Sequence, residues 1–206
     1  MSSYQLKNNR ITTGLAAAMA ILFLVPSCGN RNKATDSPEA PEVTEPVVET
    51  HLTAAQNYLT ETIGKEYASG EICIAYQDYI DVDESNPEDI QVWGDFWVEN
   101  YNVVGDTLMF VSGGNHCGKM HVKKDPEGHF AVQGFDAVSD GSNYLPTAKV
   151  IFGDKFEEFQ KAYSDDKGRE EVRKKAVSEY VHANKLPVKY YKDYGWPAVR
   201  IPAWEE

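Results

Sequence analysis

The stretch from Val92 to Val138 constrains the fold most, because short apolar alternations there are broken again and again by glycine-bearing turns. A period of two marks strands, whose successive side chains point to opposite faces. Turn residues at short intervals let such strands double back, so the stretch predicts an antiparallel sheet. Its first strand places Val92, Phe96 and Val98 on one face and Trp93, Trp97 and Tyr101 on the other. A strand apolar on both sides lies centrally in a sheet, with either two covered faces or one covered face and one binding surface.

Gly105 and Asp106 turn the chain into a strand at 107–112. Gly113, Gly114, Asn115, His116, Cys117 and Gly118 then read as a glycine-permitted turn leading to a strand at 119–124. Asp125, Pro126, Glu127 and Gly128 form a further turn, and Gly134 in the last strand, 129–138, suits a bulge that lets both Val132 and Phe135 face the core. Upstream, Thr53 to Gln56 fits a capping box, and Leu52, Ala55, Leu59 and Ile63 follow at helical spacing as far as a stop at Gly70. A half-buried strand covers 72–82. Downstream, a capping pattern at 154–157 opens a helix with Phe156, Phe159 and Tyr163 on one face. A longer helix carries Val172, Ala176, Tyr180 and Val181 on its buried side. The tail holds Tyr190, Tyr191, Tyr194, Trp196 and Trp204, and is expected to dock, since so much exposed ring surface favours association. The expected class is α+β: a curved antiparallel sheet of about five strands, an N-terminal helix packed on it and two C-terminal helices, all within one globular domain over 51–206.

Charge narrows the partners. With 20 basic and 32 acidic residues the net charge is -12, which disfavours nucleic acid, whose binding depends on neutralising phosphates with a basic face. Attraction to anionic head groups is disfavoured on the same ground. A neutral or cationic protein, peptide or small molecule fits better.

Lys7 and Arg10 precede the apolar run Leu15–Val25, the n-region and h-region of a secretory signal over 1–27. The run is shorter than the roughly 20 residues that a membrane span needs. It ends at Val25, Pro26, Ser27 and Cys28, which resembles the lipobox of bacterial lipoproteins. That resemblance implies cleavage before Cys28 and acylation of its thiol and new amino group, so that the bilayer itself becomes a partner. Two or more acyl chains suffice for stable anchoring. Gly29 stands where an Asp would signal retention in the inner membrane, and no acidic cluster follows, so the resemblance implies an outer-membrane address facing the periplasm. Residues 28–50, rich in Pro, Glu and Thr, read as a flexible linker with a coil span of about 25 Å.

Chemistry-bearing candidates are few. Asp95 and Glu99 share a strand face with Trp93, Trp97 and Tyr101, and carboxylates among aromatics are a way to line a ligand cleft or to serve acid-base chemistry. His116, Cys117 and His121, with His129 nearby, offer nitrogen and sulfur metal ligands, but their spacing matches no established zinc pattern. Cys117 with His116 or His121 as base is a possible nucleophile arrangement, although neighbours in a tight turn aim apart. The acidic loop 81–89 invites calcium. It lacks an EF-hand's mid-loop glycine, having Asn86 at the sixth position and Val92 where a bidentate Glu belongs, and so reads as a solvated turn. Cys73 and Cys117 could form a disulfide in an exported domain, while Cys73 also suits the role of a small buried hydrophobe. No cofactor is implied.

The element order over 52–138, a helix followed by a bent antiparallel sheet, resembles the cystatin-like and NTF2-like folds. The whole chain is similar to small lipoproteins of Bacteroidetes. These resemblances imply a tethered periplasmic lipoprotein that binds a protein, peptide or small ligand on the aromatic sheet face. The alternative is a hydrolase or metal-dependent enzyme using His116, Cys117 and His121, or Asp95 and Glu99.

Overall fold

The computed structural model describes residues 50–204, all within a unit that begins at Pro46. The leader, the lipobox with Cys28 and the linker up to residue 49 lie outside the described residues. The class is α+β, with a curled sheet, a helix before it and helices after it. Helix α1 (His51–Glu61) leads through a short 3-10 turn to strands β1 (Ile72–Asp83), β2 (Ile90–Val104), β3 (Thr107–Lys124) and β4 (Phe130–Ala137). Helices α2 (Tyr144–Phe152), α3 (Phe156–Tyr163) and α4 (Asp166–Ala183) follow, and the tail adds β5 (Tyr190–Lys192) and β6 (Val199–Arg200). Among the described residues no helix is long and apolar enough to cross a membrane.

The order across the sheet is β1-β2-β3-β5-β6, with β4 also paired to β3. The long strand β3 makes this possible. Its last residues, 118–124, pair antiparallel with β4, and its first, 107–109, pair parallel with β5. The tail therefore joins the sheet, and the sheet is mixed where a purely antiparallel one was expected. β1 is an edge, with no strand on its outer side among the described residues.

The expected turn at 113–118 is not a turn, because β3 runs straight through it, pairing Gly113 with Glu99, His116 with Phe96 and Gly118 with Gly94. The glycines serve close approach instead. A Cβ on Gly113, whose φ is 151°, would sit 2.2 Å from the Val98 carbonyl oxygen, and one on Gly118 would sit 2.3 Å from that of Asp136. Both glycines let neighbouring backbone press against β3 where any side chain would collide. The bulge expected near Gly134 is present: Gly134 opposes His121 while Val132 opposes Val122, and Val132 and Phe135 both reach the core.

Helix α1 starts earlier than the capping pattern suggested. Thr50 is the cap, its hydroxyl accepting from Thr53 N at 3.2 Å. Gln56, freed from that role, reaches across to the Ala75 carbonyl on β1 at 3.3 Å. The capping pattern at 154–157 is also not used, since α3 begins without a side-chain cap.

Both faces of β2 are covered. On one side Val92, Phe96 and Val98 pack with Ala55 and Leu59 of α1 and with Met120 and Val122 of β3. On the other, Trp93 packs with Ala148, Phe152 and Phe159 of α2 and α3, and Tyr101 packs with Val177 of α4 and with Val188 and Tyr191 of the tail. Each such aliphatic or aromatic side chain contributes roughly 1.5–3 kcal/mol when fully buried, which is why the two-sided pattern specifies a three-layer arrangement. The tail is only half docked. Tyr191 is buried, whereas Tyr194 and Trp196 lie at the exposed turn between β5 and β6.

Candidate functional site

Alternation along β2 brings Trp93, Asp95, Trp97, Glu99 and Tyr101 onto one face, as expected, but that face is no open cleft. Asp95 is 2% and Glu99 6% exposed, beneath a helix that supplies their counter-charges. On α4, Arg169 and Arg173 stand one turn apart and so share a helix face. Arg169 lies over Asp95 and Arg173 over Glu99, at 3.7 and 2.9 Å.

Around Glu99 the layer is closed. One carboxylate oxygen accepts from the Tyr76 hydroxyl at 3.0 Å, and the other from Tyr101 and from Arg173. Arg173 also donates through two nitrogens to Asp193, at 2.8 and 2.6 Å, and lies over the Tyr191 ring. This fork ties α4, β2 and the tail together. Burial pushes Glu99 above its usual range, opposed by Arg173 and the two tyrosine hydroxyls. Burial also works against the Arg173 charge, but its bonds to Asp193 and the charge near Tyr101 and Glu99 raise it overall.

Asp95 sits in a second group. It accepts from Trp97 Nε1 at 3.3 Å and from Asn115, and the Cys117 thiol lies 3.2 Å away. Trp97 is sandwiched, stacked on Tyr76 on one side with Arg169 5.1 Å from its ring centre. Trp93 donates to the Ile151 carbonyl at 2.9 Å, with Lys155 over its ring. Every oxygen of Asp95 and Glu99 therefore faces a donor. That is the arrangement a buried carboxylate needs in order to be tolerated, and it leaves neither acid facing a substrate.

The histidine and cysteine candidates are separated by the same alternation. His116 faces the α1 side, bonded to the Tyr67 hydroxyl at 2.9 Å, and burial holds its ring below the usual value. Cys117 faces the α4 side, and burial, then Asp95, push its thiol well up, away from the thiolate that a nucleophile requires. His121 is four residues further along β3, held between Asp89 at 2.7 Å and Asp136 at 3.1 Å. His129 is paired with Asp125 at the β3–β4 turn. Among the described residues no group of three or more His, Cys, Asp or Glu side chains is placed to hold a metal ion. In the acidic loop Asp83 and Asn86 accept from nearby backbone amides and Asp81 pairs with Lys155, so these side chains do not converge on a common point. Both thiols are free. Cys73 packs on the α1 side of the sheet and Cys117 lies on the other, so a bridge would have to pass through the sheet.

Arg169, Arg173, Asn115 and Asp193 were not singled out from the sequence. The spacing gave no signal for the pairing, since four residues span about 6 Å in a helix and about 13 Å in a strand. Of the expected buried side of α4, Ala176, Tyr180 and Val181 do pack against the core, but the most buried residues are Arg173, Val177 and Ser178.

Among several accessible concavities, one lies where α1 and α4 stand on either side of the free edge of β1. A cavity of about 340 Å³ is bordered by Asn57, Thr60, Cys73, Tyr180 and Ala183. A second, of about 220 Å³, is bordered by Gln77, Tyr79, Val172 and Lys175. The two share Gln56, Ala75, Ala176 and Glu179, so they form one groove with a waist where Gln56 reaches Ala75. No protein-family model, curated protein or solved structure gives a significant match to the chain.

Proposed function

We propose that this chain is a lipid-anchored protein of the bacterial envelope, held through acylated Cys28 at the outer membrane facing the periplasm, whose folded domain binds a ligand rather than transforming one. The leader, the lipobox and the linker support the anchor. The observation that carries the binding reading is the groove along β1 between α1 and α4, the place where a sheet edge and two helices leave polar groups and apolar walls accessible together. The β2 face with Trp93, Asp95, Trp97, Glu99 and Tyr101 becomes the support behind that groove: Arg173 and Glu99 hold α4 on the sheet and so hold one groove wall. Anchoring is tested by detergent-phase partitioning of the full chain, which Cys28→Ser should abolish. Binding is tested by screening the detergent-solubilised protein against short peptides and small molecules. Hits should be lost when the exposed walls are filled by Asn57→Trp or Ala183→Trp, and hits indifferent to both would remove the groove from consideration.

A further inference from the structure

The direction of the β1 backbone follows from two independent hydrogen bonds. Val138 N–H donates to the Cys117 carbonyl at 2.9 Å, so the Cys117 backbone is turned away from β2. Asp95 opposes Cys117 across β2–β3 and Asp78 across β1–β2. In an antiparallel ladder the two edges of a strand are served by alternate residues. Asp95 therefore faces Asp78, and Cys73, Ala75 and Gln77 turn their N–H and C=O outward, to the groove. The bond from Gln56 Nε2 to the Ala75 carbonyl gives the same parity from the other side. A side-chain amide thus occupies the position that a neighbouring strand's backbone amide would take.

The groove holds other unmet polar groups. Gln77 Oε1 and the Tyr79 hydroxyl are buried without a hydrogen-bond partner. A repeating row of outward donors and acceptors along an edge is matched by one ligand chemistry above others, an extended peptide backbone. A second copy of this chain does not fit, because its own β1 is flanked by the same two helices, which would meet α1 and α4.

We propose that the groove accepts an extended polypeptide segment as an added strand, bonded to the outward backbone of Cys73, Ala75 and Gln77 after displacement of Gln56. This rests on the groove being the binding site. From Cys73 to Gln77 the edge spans about 13 Å, so a segment of five or six residues covers it.

The experiment selects binders from a displayed library of short random peptides on the solubilised full chain, then measures synthetic hits with alternate backbone amides N-methylated. The expected result is parity: methylation on the set facing β1 weakens binding about tenfold or more, methylation on the other set leaves it unchanged, and hydrogen exchange slows at Cys73, Ala75 and Gln77. Gln56→Ala should tighten binding by removing the competitor. Peptides that are lost in Asn57→Trp yet bind equally with either set methylated would overturn strand addition and leave the groove standing. Enrichment of no peptide sensitive to Asn57→Trp or Ala183→Trp would overturn both.

Discussion

Trp93 on β2 and Trp196 in the tail are the same side chain in opposite surroundings, 9% and 71% exposed. Trp93 lies under α2, donates to Ile151 and carries Lys155 over its ring. Trp196 borders a cavity of about 300 Å³ with Glu170, Arg173 and Pro197 at the β5–β6 turn. Composition cannot distinguish the two, since both lie among aromatics and near charged residues. What differs is whether helices pack over the ring: Ala148 and Phe152 of α2 and Phe159 of α3 cover Trp93, whereas Trp196 stands at the tip of the tail hairpin. Arg169 and Arg173 neutralise Asp95 and Glu99, so that α4 closes over the rest of the same β2 face. The tail hairpin spends its one acid, Asp193, on that same Arg173 and leaves its tip outside.

The largest test of this contrast is Arg173→Met. It strands Glu99 and Asp193 and should lower stability by about 3–5 kcal/mol, read from urea unfolding. The double variant Glu99→Gln/Arg173→Met should recover much of the loss, and an unaffected single variant would mean that the layer does not hold α4. Trp93→Ala should follow at about 3 kcal/mol. Gly118→Ala, which drives a methyl into the β4 backbone, should cost about 1–3 kcal/mol, whereas a true turn glycine would respond through φ rather than through β4.

The pH dependence is a smaller effect. Because burial holds His116 below its usual 6.5, the fold favours the neutral ring. Its contribution is fully present above that value and is lost as pH falls through the lower folded value. Urea midpoints of the parent should therefore drop as pH falls below 6.5, and His116→Gln should flatten that part of the profile. Asp136, held down first by its bond from His121, adds a loss only at still lower pH. The smallest expected effect is Trp196→Ala, within about 0.5 kcal/mol. A loss matching that of Trp93→Ala would show the tail tip to be part of the core after all.

Much of the fold was legible because burial imposes period. Val92 to Tyr101 reads as a strand with two apolar faces, and it has two covered faces. Val132 and Phe135, two apolar residues an odd number apart, required a bulge and have one. The run Gly113–Gly118 misled because glycine permits both a turn and close packing of backbone on backbone, and only the neighbouring strands decide which. Gln56 misled in a similar way: three residues after a threonine it resembles half of a capping box, while its actual partner, Ala75, is nineteen positions away on a sheet edge.

The chain by itself determined the order of helix, strands and helices, the central position of β2 and the grouping of Trp93, Asp95, Trp97, Glu99 and Tyr101, because these follow from local geometry and the 2.0 and 3.6 residue periods. The tertiary structure alone decided that this grouping is sealed by Arg169 and Arg173, that His116 and Cys117 face opposite ways out of one continuous strand, and that the edge of β1 stays open between α1 and α4. Those outcomes depend on which long-range pairs satisfy buried charge and backbone hydrogen bonds, and such pairings have no period in the sequence.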